Sequence, residues 1–102
     1  MRAIGEFRNV YIHRCAVDMR KSINGLSVIV QDEMNLDVRE NSLFIFCNRR
    51  RTHMKILYFD QSGFALWFKR LEESKFPWPK KLEEDVISVT KEDLSLLLEK
   101  II

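Results

Sequence analysis

Five short stretches of the chain have the length and composition of β-strands, with β-branched and aromatic residues between polar turn segments. They are NVYIHR at residues 9–14, SLFIFC at 42–47, MKILYF at 54–59, FALWFKR at 64–70 and DVISV at 85–89. The turn-like segments NRRRTH and DQSG separate the middle three stretches, which is typical of an antiparallel meander. The pattern therefore predicts an antiparallel sheet of four or five strands.

Two further segments repeat apolar residues at helical spacing, and with the strands they predict an α+β fold in a single domain, residues 1–102. The first helix follows the first strand, begins after Asp18 as its N-cap and ends near Met34. The second helix is C-terminal and begins after Thr90. The apolar positions are Met19, Ile23, Leu26 and Val30 in the first helix and Leu94, Leu97, Leu98 and Ile101 in the second.

Gly25 lies inside the first predicted helix. Glycine costs roughly 1 kcal/mol relative to alanine in a helix interior. We therefore expect another backbone to approach the helix closely at this point.

The hairpin around DQSG has a predictable register, in which Phe59 pairs with Phe64. That register makes both faces of the hairpin apolar. Either helices cover both faces, which is the commoner arrangement, or one face stays open with Tyr58 and Trp67 as a stacking platform for bases. One face carries Lys55, Leu57, Phe59, Phe64, Leu66 and Phe68, and the other carries Met54, Ile56, Tyr58, Ala65, Trp67 and Lys69.

Composition narrows the class of protein. With 46% hydrophobic and 31% charged residues, the chain of 102 residues has the composition of one folded domain. It contains neither an apolar run long enough to span a membrane nor the N-terminal apolar segment of a secretory signal. Cys15 and Cys47 form no disulfide framework. We therefore expect a cytoplasmic protein with reduced thiols.

Positive charge is concentrated in the first part of the chain. Residues 1–70 contain twelve Lys and Arg against seven Asp and Glu, whereas residues 71–102 contain five against eight. The densest cluster is Arg49-Arg50-Arg51, at the tip of a predicted hairpin. Guanidinium groups are planar, permanently charged donors that match phosphate oxygens. The sequence therefore favours an anionic partner at this tip, and a solvated turn is the simpler alternative.

Lys69 and Arg70 form a second basic pair, at the end of the fourth predicted strand. The hairpin register brings this strand end back towards the arginine-rich tip, so the two clusters could form one patch. Ion pairing with Glu72 and Glu73 explains the pair equally well.

Arg20 and Lys21 form a third basic pair, in the first turn of the predicted helix, where positive charge opposes the helix dipole. An anion held there by main-chain N–H groups and by both side chains would account for them. Asp18 needs no such explanation, because capping the helix is a sufficient structural role.

Metal binding and catalysis have little support in the sequence. His13-x-Cys15 and Cys47-x₅-His53 lack the paired-cysteine spacing that is typical of zinc sites. No grouping of nucleophile, histidine and acid is indicated, and a nuclease would need clustered carboxylates for its metal ions. We therefore expect no catalytic residue, no metal site and no cofactor.

Several blocks of residues match a known family in one order and spacing. They are Asp18-Met19-Arg20-Lys21, Asn24-Gly25-Leu26, Phe46, Arg49-Arg50, Lys55-Ile56-Leu57, Asp60, Gly63, Leu66, Lys69-Arg70-Leu71-Glu72, Phe76 and Trp78-Pro79, followed by the strand and leucine-rich segment from Val86. These blocks resemble the small TnpB-type accessory proteins, the second reading-frame products of the insertion sequence 66 family of bacterial transposable elements. The much larger RNA-guided nucleases called TnpB are different proteins. The similarity covers nearly the whole chain and departs from the family pattern at Ser22 and at Arg51-Thr52-His53.

The resemblance implies a role in transposition beside a separate, larger transposase. It implies a process rather than a molecular mechanism, so two hypotheses remain open. In one, an adaptor contacts the transposase, with Trp78 between two prolines as the contact, and touches DNA little. In the other, a non-catalytic accessory factor binds DNA, such as the element ends, through Arg49, Arg50 and Arg51, helped by Lys69, Arg70, Arg20 and Lys21.

Overall fold

The protein, in a computed structural model that describes residues 6–76 and 86–90, forms one sheet with a helical segment on one of its faces. The helical segment begins as the α-helix α1 (Ile23–Val28) and continues as one π-helical stretch (Ile29–Glu33). The strands are β1 (Asn9–His13), β2 (Ser42–Cys47), β3 (His53–Asp60), β4 (Gly63–Arg70) and β5 (Val86–Val89).

The sheet is mixed, with the strand order β4-β3-β2-β1-β5. β1 and β2 pair in parallel, with Val10 opposite Leu43, whereas the other three pairings are antiparallel. The predicted antiparallel sheet is therefore wrong for the β1–β2 pair. The reason is the long connection between these strands, residues 14–41. A segment of that length with a helix in it can cross over and return in the same direction, whereas a short turn cannot.

The predicted meander of the middle strands is confirmed. β3 and β4 pair from Asp60 with Gly63 to His53 with Arg70, and Phe59 lies opposite Phe64 as the sequence predicts. Asp60 and Gly63 are direct partners, so the pairing continues without a bulge at the glycine.

A helix follows β1 as predicted, but it begins later than expected. Its N-cap is Ser22 rather than Asp18, and Met19 lies in the turn before it. The Asp18 carboxylate accepts a hydrogen bond from the Arg20 amide at 2.9 Å and also binds the Arg20 side chain. Asp favours such local bonds to the backbone two residues ahead, and here they compete successfully with helix capping. The predicted C-terminal helix lies outside the described residues.

Gly25 has a different neighbour from the one predicted. A Cβ atom at this position would lie 3.3 Å from the Cβ atom of Lys21 and 3.4 Å from its Cγ atom. The close contact is therefore with a lysine side chain near the start of the same helix, and not with the backbone of another element.

The apolar residues of β1 to β4 alternate between two clusters, one on each face of the sheet. β2 lies in the middle of the sheet and is buried along its whole length. One cluster joins the sheet to the helical segment through Phe44, Phe46 and Leu57 from the strands and Leu26, Ile29 and Val30 from the helical residues. The cluster on the other face consists of Phe7, Val10, Ile12, Leu43, Ile45, Cys47, Met54, Ile56, Tyr58, Leu71 and Phe76.

Tyr58 belongs to this second cluster and is only 6% exposed. Its ring meets Phe7 edge-on, with centroids 5.3 Å apart, and Trp67 packs against the same cluster. Tyr58 is therefore packed, and the open platform of Tyr58 and Trp67 is wrong. Among the described residues, the members of this cluster outside the strands are Phe7, Leu71 and Phe76, none of which lies in a helix. No helix among residues 6–76 and 86–90 is long and apolar enough to cross a membrane.

Replacing Leu26 by alanine should lower the free energy of unfolding by roughly 2–5 kcal/mol, since this fully buried side chain joins α1 to the sheet and its loss leaves a cavity. Val28→Ala on the same helix is a matched control, because Val28 is 54% exposed and should change stability by only about 0.5 kcal/mol. Urea denaturation measures both. Equal losses in the two variants would contradict the assigned helix face.

Candidate nucleic-acid interface

The parallel pairing of β1 and β2 brings the basic segments of the chain to one end of the sheet. Both strands finish there, and the amide of Val17 donates to the carbonyl of Cys47 at 2.9 Å, which joins the segment after β1 to the end of β2. β3 begins at the same end and β4 finishes there, with His53 opposite Arg70. We call this region the cationic end. Its basic residues are Arg14, Arg20, Lys21, Arg49, Arg50, Arg51, Lys69 and Arg70.

The opposite end of the sheet has a mixed charge. Arg8 and Arg39 lie there beside the starts of β1 and β2, and the Arg39 guanidinium stands 5.7 Å from the centroid of Phe59. Acidic residues outnumber them in this region. They are Glu6, Asp37, Glu40 and Asp60. The excess of positive charge among the described residues is thus confined to one end of the molecule.

Asn48 builds the turn that carries the arginines. Its side-chain oxygen accepts hydrogen bonds from the amides of Thr52 at 2.9 Å and His53 at 3.0 Å. Its side-chain nitrogen lies 3.1 Å from the Thr52 hydroxyl oxygen and 3.1 Å from the Nδ1 atom of His53. Asparagine is favoured in such places because its amide can replace missing backbone hydrogen bonds. The Asn48 side chain therefore joins the start of the turn between β2 and β3 to its end.

Arg49 and Arg50 occupy the two corner positions of this turn, which is closed by a hydrogen bond from the Arg51 amide to the Asn48 carbonyl at 3.1 Å. Both corner residues are exposed. Among the described residues, neither guanidinium has a carboxylate within ion-pairing distance. Their exposure is the one predicted for the tip of this hairpin, and contact with an anion stays a prediction.

Arg51 behaves differently from its two neighbours. Its φ angle is 64°, in the left-handed region that non-glycine residues seldom adopt, and its side chain is half-buried. Its carbonyl accepts a hydrogen bond from the Phe76 amide at 2.7 Å, and its guanidinium contacts the buried Cys47 thiol. Burial raises the pKa of that thiol to about 11, and the guanidinium opposes this only in part. Arg51 therefore stabilises the turn in addition to contributing positive charge to it.

Lys69 and Arg70 reach the cationic end as predicted, but they do not share a surface. Successive residues of a strand point to opposite faces, so Lys69 lies on the face of Met54, and Arg70 lies on the face of His53. Arg70 also bonds the Glu72 carboxylate, with its Nη2 atom 2.7 Å from Oε1. The predicted alternative of local ion pairing thus applies to Arg70.

Arg20 and Lys21 lie in the turn that precedes α1, not in its first helical turn. Arg20 is held by Asp18, with its Nη2 atom 2.7 Å from Oδ2. This hydrogen-bonded pair lowers the pKa of Asp18 to about 2 and raises the pKa of Arg20. The two basic residues therefore do not form an anion site with the helix N-terminus. Lys21 is exposed and adds charge to the cationic end.

Sequence reasoning missed a group of residues beside this turn. Lys55 donates hydrogen bonds to the carbonyls of Met19 and Lys21, both at 2.8 Å, and so fixes the turn before α1 to β3. Its Nζ atom lies 5.7 Å from the centroid of Phe68, and the ring of His53 lies 5.8 Å from the same centroid. The alternation along β3 and β4 places all three on one face, but it does not reveal that Phe68 remains half exposed.

His13 and Cys15, which were considered as zinc ligands, lie in contact with each other. The Nδ1 atom of His13 lies 3.0 Å from the Cys15 carbonyl oxygen, and its Nε2 atom lies 3.5 Å from the Glu33 carboxylate. In the part of the chain that the structure describes, no group of three His, Cys, Asp or Glu residues is placed to hold a metal ion. Trp78 lies outside the described residues.

Asn48→Ala should reduce the free energy of unfolding by roughly 1–3 kcal/mol, because the half-buried amides of Thr52 and His53 lose their acceptor. Asn48→Asp keeps an oxygen at this position and should lose less. Urea denaturation of both variants checks this. An alanine variant as stable as the unmodified protein would contradict the role of Asn48 in building the turn.

The Asp18–Arg20 pair should give a pH dependence with a defined sign. Because the pKa of Asp18 is lower in the folded protein than its ordinary value of 3.8, the pair stabilises the fold above about pH 4, and this contribution disappears as the pH falls towards 2. Carboxyl-carbon NMR titration should give a midpoint near 2 for Asp18. Arg20→Ala should move the midpoint towards the ordinary value, whereas Lys21→Ala should change it little, since Lys21 is a minor cause of the shift.

Comparison with known proteins agrees with the motifs found in the sequence. Residues 8–102 match the family described as IS66 Orf2 like protein. The chain is 32% identical over 94 residues to the uncharacterized protein y4hO of Sinorhizobium fredii (strain NBRC 101917 / NGR234), covering 92% of this chain and 81% of the relative. It is also 32% identical over 82 residues to the uncharacterized protein y4jC of the same organism, covering 80% of this chain and 69% of the relative.

No solved structure matches the chain. The family resemblance that the sequence motifs indicate is confirmed by the match over residues 8–102. The chain belongs to the IS66 Orf2 like family, and this membership associates it, as an accessory protein, with transposition.

Proposed function

We propose that the protein is a non-catalytic accessory factor of transposition that binds DNA through its cationic end. The observation that carries this proposal is the placement of Arg49 and Arg50 at the exposed corner of a turn that Asn48 holds in shape. Two adjacent cations repel each other, and in the described residues no carboxylate compensates them. A phosphate backbone supplies the missing negative charge.

The shape of the turn suits contact with phosphates rather than with bases. The two guanidiniums stand on a short turn of fixed backbone, and guanidinium groups bond phosphate oxygens through pairs of parallel donors. Contacts of this kind set the affinity and the register of a protein on DNA, but they carry no sequence information directly. DNA from the element ends and unrelated DNA should therefore bind through the same two arginines.

The other basic residues of the cationic end contribute unequally to the proposed interface. Lys21 and Lys69 also belong to the cationic end, and among residues 6–76 and 86–90 neither has a carboxylate within ion-pairing distance. Arg20 and Arg70 have carboxylate partners, both in exposed pairs, which solvent weakens. Such pairs exchange partners readily, so these two arginines form a secondary part of the interface.

An adaptor that contacts the transposase is the competing function. The observation that favours it is the position of β4, an eight-residue strand, at the end of the strand order, where no other described strand pairs with its outer edge. A strand of a partner protein can add to such an edge through main-chain hydrogen bonds. Retention of the transposase without any DNA would support this function.

The double variant Arg49→Ala/Arg50→Ala should weaken duplex DNA binding and flatten its salt dependence. The slope of log K against log salt concentration should fall by about 0.9 for each arginine that contacts a phosphate. Electrophoretic mobility shift at several salt concentrations, with DNA of the element ends and with unrelated duplex, measures this.

Arg8→Ala/Arg39→Ala is the matched control, because it removes the same charge from the opposite end of the sheet. It should leave the slope nearly unchanged. If the unmodified protein fails to shift either DNA at low salt, or if both double variants lose the same affinity, the proposal is wrong.

A further inference from the structure

Phe68 is an aromatic residue that the fold leaves half exposed at the cationic end. It continues the row of Phe64 and Leu66 along β4, and those two residues pack against the cluster under α1. Phe68 itself is 50% exposed. Among the described residues, the only other large hydrophobic with comparable exposure is Val28, at 54%. Exposure alone has no meaning at a single position, so the surroundings of the ring decide.

The surroundings of Phe68 hold its ring in place from one side. Lys55 lies directly opposite on β3, with its Nζ atom 5.7 Å from the ring centroid, and His53 lies beside it at 5.8 Å between ring centroids. Both neighbours are fixed in turn. The carbonyls of the turn before α1 accept from Lys55, and the Nδ1 atom of His53 lies 2.8 Å from the Thr52 hydroxyl oxygen. These neighbours therefore position the ring in advance, while half of the residue remains exposed.

Charge identifies the class of ligand that fits this ring. The turn with Arg49 and Arg50 precedes β3, the strand that carries both neighbours of Phe68. An aromatic face within a cationic frame is the arrangement that binds single-stranded nucleic acid, in which bases stack on rings while phosphates meet the cations. Duplex DNA offers no such face, because its bases are stacked on each other.

We propose that Phe68 is a stacking platform for an unpaired base of single-stranded DNA whose phosphates lie against Arg49 and Arg50. This inference rests on the proposed DNA-binding function and names the form of DNA that the site prefers. A protein partner seated on Phe68 is the competing occupant. A protein partner would not require Lys55, whose Nζ atom lies 5.7 Å from the ring centroid, and its binding would not depend on base stacking.

Fluorescence anisotropy with a labelled oligothymidine and with a duplex of equal length tests the platform. Phe68→Ala should weaken binding of the single strand by about 5- to 150-fold, the range that corresponds to one stacked base. It should leave duplex binding unchanged. Phe68→Leu keeps apolar bulk without an aromatic face and should be impaired in the same way, whereas Phe68→Trp should retain binding.

Val28→Ala is the control, because it removes a similarly exposed apolar side chain from α1. It should alter neither affinity. Circular dichroism and thermal melting of each variant separate loss of binding from loss of fold, and the exposed position of Phe68 makes large stability changes unexpected.

The possible results distinguish this inference from the function on which it rests. If duplex binding depends on Arg49 and Arg50 but Phe68→Ala leaves single-strand affinity intact, the platform is wrong and the DNA-binding function stands. If Phe68→Ala lowers single-strand and duplex affinity equally, or if Phe68→Leu binds normally, base stacking is likewise overturned. If the unmodified protein binds neither DNA, both proposals fail.

Discussion

The parallel pairing of β1 with β2 is the constraint on which the rest of the structure depends. Parallel neighbours finish at the same end of a sheet, so whatever follows them in the chain is brought together there. β1 is followed by the turn with Arg20 and Lys21, and β2 is followed by the turn that Asn48 builds. An antiparallel pair would have sent these basic segments to opposite ends. The concentration of positive charge is thus a consequence of topology, not of one short motif.

Local features of the fold could be predicted from the sequence, and the choice of strand partners could not. Strand positions and the β3–β4 register follow from alternation and turn residues, which act over a few positions. The direction in which β1 meets β2 depends on how residues 14–41 cross the sheet, and alternation carries no information about that. The start of α1 was missed for another reason, because the Asp18 carboxylate bonds Arg20 two residues ahead instead of capping a helix.

The candidate site, like the fold, could be predicted from the sequence only in part. Exposure of Arg49 and Arg50 was predictable from their place in a short turn, whereas the inward path of Arg51 depends on a left-handed backbone and on the buried Cys47. The divergence of Lys69 and Arg70 follows from strand alternation alone. The exposure of Phe68 could not be predicted from the sequence, because this residue repeats the spacing of its partly buried neighbours Phe64 and Leu66. Only the folded sheet shows that Phe64 and Leu66 pack against the core whereas Phe68 lies beyond it.

Among the described strands, β4 lies at one border of the sheet, and this position gives a structural reason for Lys69 and Arg70 at its end. A strand at a sheet border can recruit the same strand of another molecule, and lysine or arginine there discourages such self-association. Lys69 and Arg70 lie at the end of this strand, where their positive charge opposes such pairing. The position of β4 alone therefore accounts for positive charge at its end, whereas this constraint of the sheet does not apply to Arg49 and Arg50 in the turn between β2 and β3.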